Sequence, residues 1–110
     1  MRRRRVRILF DQGTPVPLRL HLSHHSVETV AERGWSTLSN GDLLGKAQEA
    51  GYQLFITTDQ NLRYQQNIAS RPLGILVLMS TSWPRIRLRL AAVTEAIHRA
   101  HPGSYEEVPV

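Results

Sequence analysis

The chain has 110 residues, 41% of them apolar, with 14 Lys and Arg against 9 Asp and Glu and a formal net charge of +5. That length suits one globular domain rather than two, and the composition is not that of a disordered chain. The lack of cysteine excludes disulfides, thiolate metal sites and a Cys nucleophile, and no apolar run approaches the roughly 18 residues that span a bilayer.

The basic N-terminal tail, residues 1–5, carries Arg2 to Arg5. Such a run is either a solvated end or an arm for phosphate backbones. No charged-then-apolar leader is evident, so a cytoplasmic protein without membrane contact is expected. Val6 to Phe10 is a short apolar run that stops at Asp11, as a buried strand does. Pro15 or Pro17 can open a short helix over Leu18, Leu20 and Leu22. His25 to Val30 reads as a second strand, and Ala31 to Trp35 turns away from it.

Ser39 and Asn40 suit a helix N-cap, with Asp42 in the first turn, Leu43, Leu44, Ala47 and Ala50 as the apolar face, and Gly51 as the stop. Leu54 to Thr57 forms a strand that ends at Thr58 and Asp59. Gly74 to Met79 is almost wholly apolar and predicts a strand buried on both faces. Pro84 opens a long helix through Ile86, Leu90, Val93, Ile97 and Ala100, and Tyr105 to Val108 adds an edge strand. Strands alternating with helices predict an α/β protein with a mostly parallel sheet and helices on both faces.

In such sheets ligands bind beyond the carboxyl ends of the strands, where the strand order reverses. Asp11 and Asp59 follow two predicted strands directly, and Asp42 near a helix start can point a third carboxylate into the same crevice. Three carboxylates there repel one another unless a divalent ion such as Mg²⁺ joins them. The competing reading makes each aspartate a cap or a turn residue. After Asp59 comes a segment rich in amides, with Gln60, Asn61, Arg63, Gln65, Gln66 and Asn67. Arg63, Gln66 and Arg71 are the expected contacts to nucleic acid.

Other candidates are weaker. His21, His24 and His25 match no zinc spacing and lack the glutamate of a helical His-Glu-x-x-His pair. Gly41 and Gly45 are not followed by the Gly-Lys-Ser/Thr of a phosphate-binding loop. Arg85, Arg87, Arg89 and Arg99 form a stripe on the last helix, either a solvated face or a phosphate track. A phosphoacceptor receiver domain also gathers aspartates at strand ends, but it needs a lysine after a late strand. The single lysine here, Lys46, falls within a helix.

The strings ILFDQG (Ile8 to Gly13), GWSTLSNGDLL (Gly34 to Leu44) and ITTDQNLRYQQNIASR (Ile56 to Arg71) resemble the short bacterial PIN-like domains that are predicted nucleases of toxin–antitoxin systems. The resemblance runs from Arg7 to about His98, and its most specific part is ITTDQNLRYQQN. It implies a single PIN-like domain, a three-layer α/β/α sandwich, and a ribonuclease that uses Mg²⁺ or Mn²⁺. By position, Asp11, Asp42 and Asp59 match the catalytic and metal-binding acids, and Thr57 or Thr58 would orient Asp59. Many relatives carry a further acid soon after the third. This chain departs from that pattern, with Gln60, Asn61 and Gln65 but no carboxylate there, and Asn61 can ligate a metal through its carbonyl oxygen. RNA as substrate, a cognate antitoxin protein and a homodimer are likewise implied, and an inactive RNA-binding module is the alternative.

Overall fold

The computed structural model describes residues 4–65, 67 and 70–110. Of the residues singled out above, Arg2, Arg3 and Gln66 lie outside them. The elements in chain order are β1 (Arg7–Phe10), a 3-10 helix (Val16–His21), β2 (Ser26–Thr29), α1 (Asn40–Glu49), β3 (Leu54–Thr57), α2 (Leu62–Gln65), β4 (Gly74–Leu78), α3 (Trp83–Arg87), α4 (Leu90–Arg99) and β5 (Tyr105–Val108). All strand pairs are parallel, in the order β2-β1-β3-β4-β5.

Side chains alternate across a pleated strand, which splits the apolar residues between two cores. Ile8, Phe10, Leu54, Ile56, Leu76 and Leu78 face Leu18 of the 3-10 helix, Ile86 of α3 and Val93 and Ile97 of α4. Leu9, Phe55, Ile75 and Val77 face Leu43, Leu44 and Ala47 of α1 and Leu62 of α2. Helices therefore cover both faces of the sheet. That explains why β3 and β4 are apolar at nearly every position and fully buried.

The connections place the helices in an uneven way. β1 to β2 passes through the 3-10 helix on one face. The connections from β2 to β3 and from β3 to β4 run the other way along the sheet and lie on the other face, which gives all three the same hand. From β4 to β5 the chain keeps that direction but carries α3 and α4 on the first face, so this crossover has the reverse hand, against a strong general preference for a single hand.

α1 starts and stops as its residues direct. Ser39 is the N-cap, and its hydroxyl accepts from the Asp42 N–H at 3.4 Å. Gly51 follows the helix at φ +84°, and an added Cβ there would meet Arg7 Nη1 at 2.9 Å. Only glycine takes that backbone without strain. The last predicted helix is different. It is broken between Arg87 and Leu90, where the Leu88 and Arg89 N–H groups turn back to Arg85 and Ile86 carbonyls. The two pieces have different supports. α3 leans on the 3-10 helix, with Trp83 against His21 at 5.5 Å, while α4 packs on the sheet and β5.

His25, buried just before β2, joins the start of β1 to that loop: the Val6 N–H donates to His25 Nδ1 at 3.0 Å. Only a neutral ring can accept this bond. Burial, followed by the charges of His24, His98, Arg4 and Arg5, lowers its pKa from the ordinary 6.5. As pH falls, the unfolded chain therefore takes up this proton first. The stability from the neutral ring is complete above 6.5 and is lost as pH drops through the folded-state value. The thermal midpoint is thus expected to fall below pH 6.5, and His25→Asn, whose side-chain oxygen can accept the same bond, should flatten that part of the curve. An unchanged pH profile in the variant would rule out His25 as its origin.

Candidate functional site

The strand order turns around between β1 and β3. The chain leaves β1 toward one face of the sheet and β3 toward the other, so a crevice opens between their carboxyl ends. Asp11 and Asp59 stand there. β1 delivers Asp11 directly, and its N–H donates to the Ile56 carbonyl at 2.9 Å, extending the ladder by one step.

Thr57, the last residue of β3, is fully buried and joins the two acids. Its hydroxyl donates to Asp11 Oδ2 at 2.8 Å and accepts from the Asp59 N–H at 3.0 Å. Each carboxylate has further partners. Asp11 Oδ1 accepts from the Gln12 N–H at 2.9 Å, Asp59 Oδ1 from the Asn61 N–H at 2.9 Å, and Asp59 Oδ2 from Asn40 Nδ2 at 3.4 Å. A carboxylate offers about four lone-pair sites, so both acids keep acceptor capacity.

Gly13 allows the loop after Asp11 to lie close over β3. Its φ is +89°, and an added Cβ would meet Thr58 Oγ1 at 3.0 Å. Thr14, buried in the same loop, donates from its hydroxyl to the Ile56 carbonyl at 3.1 Å.

Asp42 does not join this pair. Successive helical residues are about 100° apart, so Asn40 and Asp42 point in nearly opposite directions. Asn40 reaches Asp59, whereas Asp42 is exposed and lines a groove along the outer side of α1 with Lys46 and Glu49. Among the described residues there is no group of three or more His, Cys, Asp or Glu that can hold a metal ion. The expected three-acid cradle is thus replaced by two acids, a hydroxyl and an amide. Asn40 was missed by reading Asp42 as the inward residue. The signal lay in spacing, since Asn40 is three and four residues from Leu43 and Leu44 on the buried stripe, and Asp42 is in line with Lys46.

The other expected residues are dispersed. Asn61 is exposed and contributes its N–H to Asp59. Arg63 lies over the Tyr64 ring at 4.7 Å and pairs with Glu107 at 3.6 Å. Glu107 also accepts from the Tyr105 hydroxyl at 2.8 Å, and burial together with this bond pushes the Tyr105 pKa up to about 12. Arg71 donates to Gln48 Oε1 at 2.9 Å. Gln48 is eight residues beyond Asn40 along α1, about 12 Å of helix rise away from the acids.

The charges at the crevice are unbalanced. Burial, with the Asp59 charge adding to it, raises the Asp11 pKa above 3.8, although the Thr57 and Gln12 bonds pull it down. Among the described residues every ion pair uses a glutamate (Glu28, Glu32, Glu106 or Glu107), and none reaches Asp11 or Asp59. Two carboxylates among hard oxygen and amide donors fit one Mg²⁺ or Mn²⁺ ion, which proteins usually hold with one or two carboxylates, water and substrate phosphate. They do not fit a site that needs three acids.

Comparison with protein-family models, with curated proteins and with solved structures gives no match to this chain.

The two aspartate environments predict opposite responses to neutralisation. Asp11 has a folded-state pKa above its unfolded one, so the stability present below pH 3.8 is lost as the pH rises through the folded value, and at pH 7 its charge opposes folding. Asp11→Asn should therefore raise the thermal midpoint in a chelating buffer at pH 7. Asp42→Asn should cost about 0.3–1 kcal/mol, because a first-turn carboxylate favours the helix. Equal destabilisation by both changes would contradict the crowding of Asp11 by Asp59.

Proposed function

We propose that this protein is a divalent-metal-dependent ribonuclease that hydrolyses phosphodiester bonds at the Asp11–Asp59 pair. One observation carries the reading. In a chain of net charge +5, two neighbouring carboxylates meet at the crevice and, among the described residues, no cationic side chain pairs with them, and a divalent ion with a phosphate would complete such a site.

Asp11 and Asp59 would hold the ion, with the Asn40 amide beside them. Bound there, Mg²⁺ or Mn²⁺ supplies positive charge for the phosphate oxygens and lowers the pKa of a coordinated water. The chain's own residues prepare the site. Thr57 fixes the spacing of the two acids, the Gln12 and Asn61 N–H groups hold one oxygen of each, and Asn40 ties the start of α1 to Asp59.

Phosphates beyond the crevice would meet arginines on and just after α3. α3 starts at the same edge of the sheet, after β4, and packs on the 3-10 helix that follows Asp11. Arg85 and Arg87, on different sides of α3, and Arg89 just beyond it are exposed and outside the ion pairs among the described residues. They replace Arg63 and Arg71 as backbone contacts in this reading. No helix among the described residues is long and apolar enough to cross a membrane. A toxin role, a cognate antitoxin and a homodimer rest on the PIN-like resemblance alone, and a cytoplasmic location on the sequence pattern alone.

The two-acid site also supports a second reading, RNA binding without turnover, because no third acid joins the pair among the described residues. Incubating homogeneous protein with single-stranded RNA in Mg²⁺, Mn²⁺ or EDTA separates the two. Hydrolysis predicts metal-dependent cleavage that Asp59→Asn lowers on the order of 100-fold or more, since metal stabilisation of transition-state charge is worth several kcal/mol. Asp42→Asn should stay within about threefold of wild type if it lies outside the site. RNA binding that weakens steeply with salt, with no cleavage in any metal, selects the binding module. Thr57→Val should weaken Mn²⁺ binding about 10–100-fold by calorimetry, the usual effect of losing a residue that orients ligands, while circular dichroism confirms the fold. Unchanged Mn²⁺ affinity would remove Thr57 from the site.

A further inference from the structure

Beside Asp11, on the side away from Asp59, a cleft of about 200 Å³ lies between the loop after β1 and the loop after β2. One wall is Val16, at the start of the 3-10 helix and 51% exposed; the other is Val30 and Ala31. Gly13 and Thr29 also line it, and Asp11 is among the lining residues, so the cleft adjoins the acid pair. The cleft is mostly apolar with a few polar groups at its ends, the usual composition of a small-ligand site.

Its walls are tied together in advance. Arg19 of the 3-10 helix pairs with Glu32 Oε1 at 2.7 Å, and that oxygen also accepts from the Thr29 N–H at 2.9 Å. The Glu32 N–H returns to Thr29 Oγ1 at 3.1 Å. The bridge links the 3-10 helix that carries Val16 to the turn that carries Ala31, so part of the cleft's shape is set before a ligand enters.

We propose that this cleft is a nucleobase subsite. It takes the base of the ribonucleotide whose phosphate lies at Asp11 and Asp59, and it gives the enzyme its preference at that position. The inference rests on the ribonuclease reading. A cleft of this volume is below the usual 300–1,000 Å³ of drug-sized sites, which suits one flat ring system rather than a stretch of chain. Val16 and Ala31 offer exposed apolar contact to a ring face over the buried Val30, and Asp11 in the lining sets the distance to the phosphate.

The test uses the full chain with Mg²⁺ and methyl-labelled NMR spectra of Val16, Val30 and Ala31, titrated with each of the four ribonucleoside 5′-monophosphates and with ribose 5-phosphate. Base-containing ligands should shift these methyls and ribose 5-phosphate should not. Ala31→Phe, which fills the cleft from its exposed side, should raise KM for RNA about tenfold, within the range of a lost base contact, with kcat little changed. Val16→Ala serves as the second variant should Ala31→Phe fold poorly, and it should raise KM in the same direction. Metal-dependent cleavage with no base-dependent methyl shift and wild-type KM in the variants would overturn the subsite and leave the nuclease intact. Base-dependent shifts without cleavage in any metal would uphold the subsite as a nucleotide site and overturn the nuclease reading.

Discussion

The arrangement at the crevice depends on one buried hydroxyl. Thr57 Oγ1 donates a hydrogen bond to Asp11 Oδ2 and accepts one from the Asp59 N–H, so the Asp11 carboxylate and the Asp59 backbone are held in one geometry. A buried hydroxyl without partners is costly, and here both its roles are used. The consequence is that β1 and β3 register, which the apolar alternation already fixes, also fixes the spacing of the acids. Core packing and site geometry are the same constraint seen from two ends of the strands.

The cost of that arrangement is visible in the electrostatics. A desolvated Asp11 next to Asp59 opposes folding when ionised, and the raised pKa records it. Four glutamates lie beside arginines: Glu28 sits between Arg7 and Arg33, Glu32 pairs with Arg19, Glu107 with Arg63 and Glu106 with Arg99. Among the described residues the crevice acids are in no such pair. Sites that bind or react with charged ligands commonly keep such unfavourable charge because the ligand relieves it.

Much of this was legible in the sequence, for identifiable reasons. β3 and β4 follow from unbroken apolar runs, and Asp11 and Asp59 from their position just past strand ends. Asp42 was misread because residues two apart on a helix face opposite ways, so a carboxylate beside the inward Asn40 points outward. Arg63 carried no sign of its use, since its partner Glu107 is on β5, distant in sequence and brought close only by the sheet. Arg71 follows from direction: α1 runs back along the sheet, and the loop before β4 meets its far end. The break between α3 and α4 has neither glycine nor proline to announce it, and the two different surfaces beneath the pieces account for it.

The sheet order places the acid-bearing strands away from both edges. β2 borders one margin and β5 the other, each mostly half-buried, while β1 and β3 are paired on both sides and almost wholly buried. Opening of short peripheral strands is the lowest-energy fluctuation open to such a sheet. Fraying at either margin therefore leaves the pairing between β1 and β3 in place, and the geometry of the crevice outlasts the local melting of the strands around it.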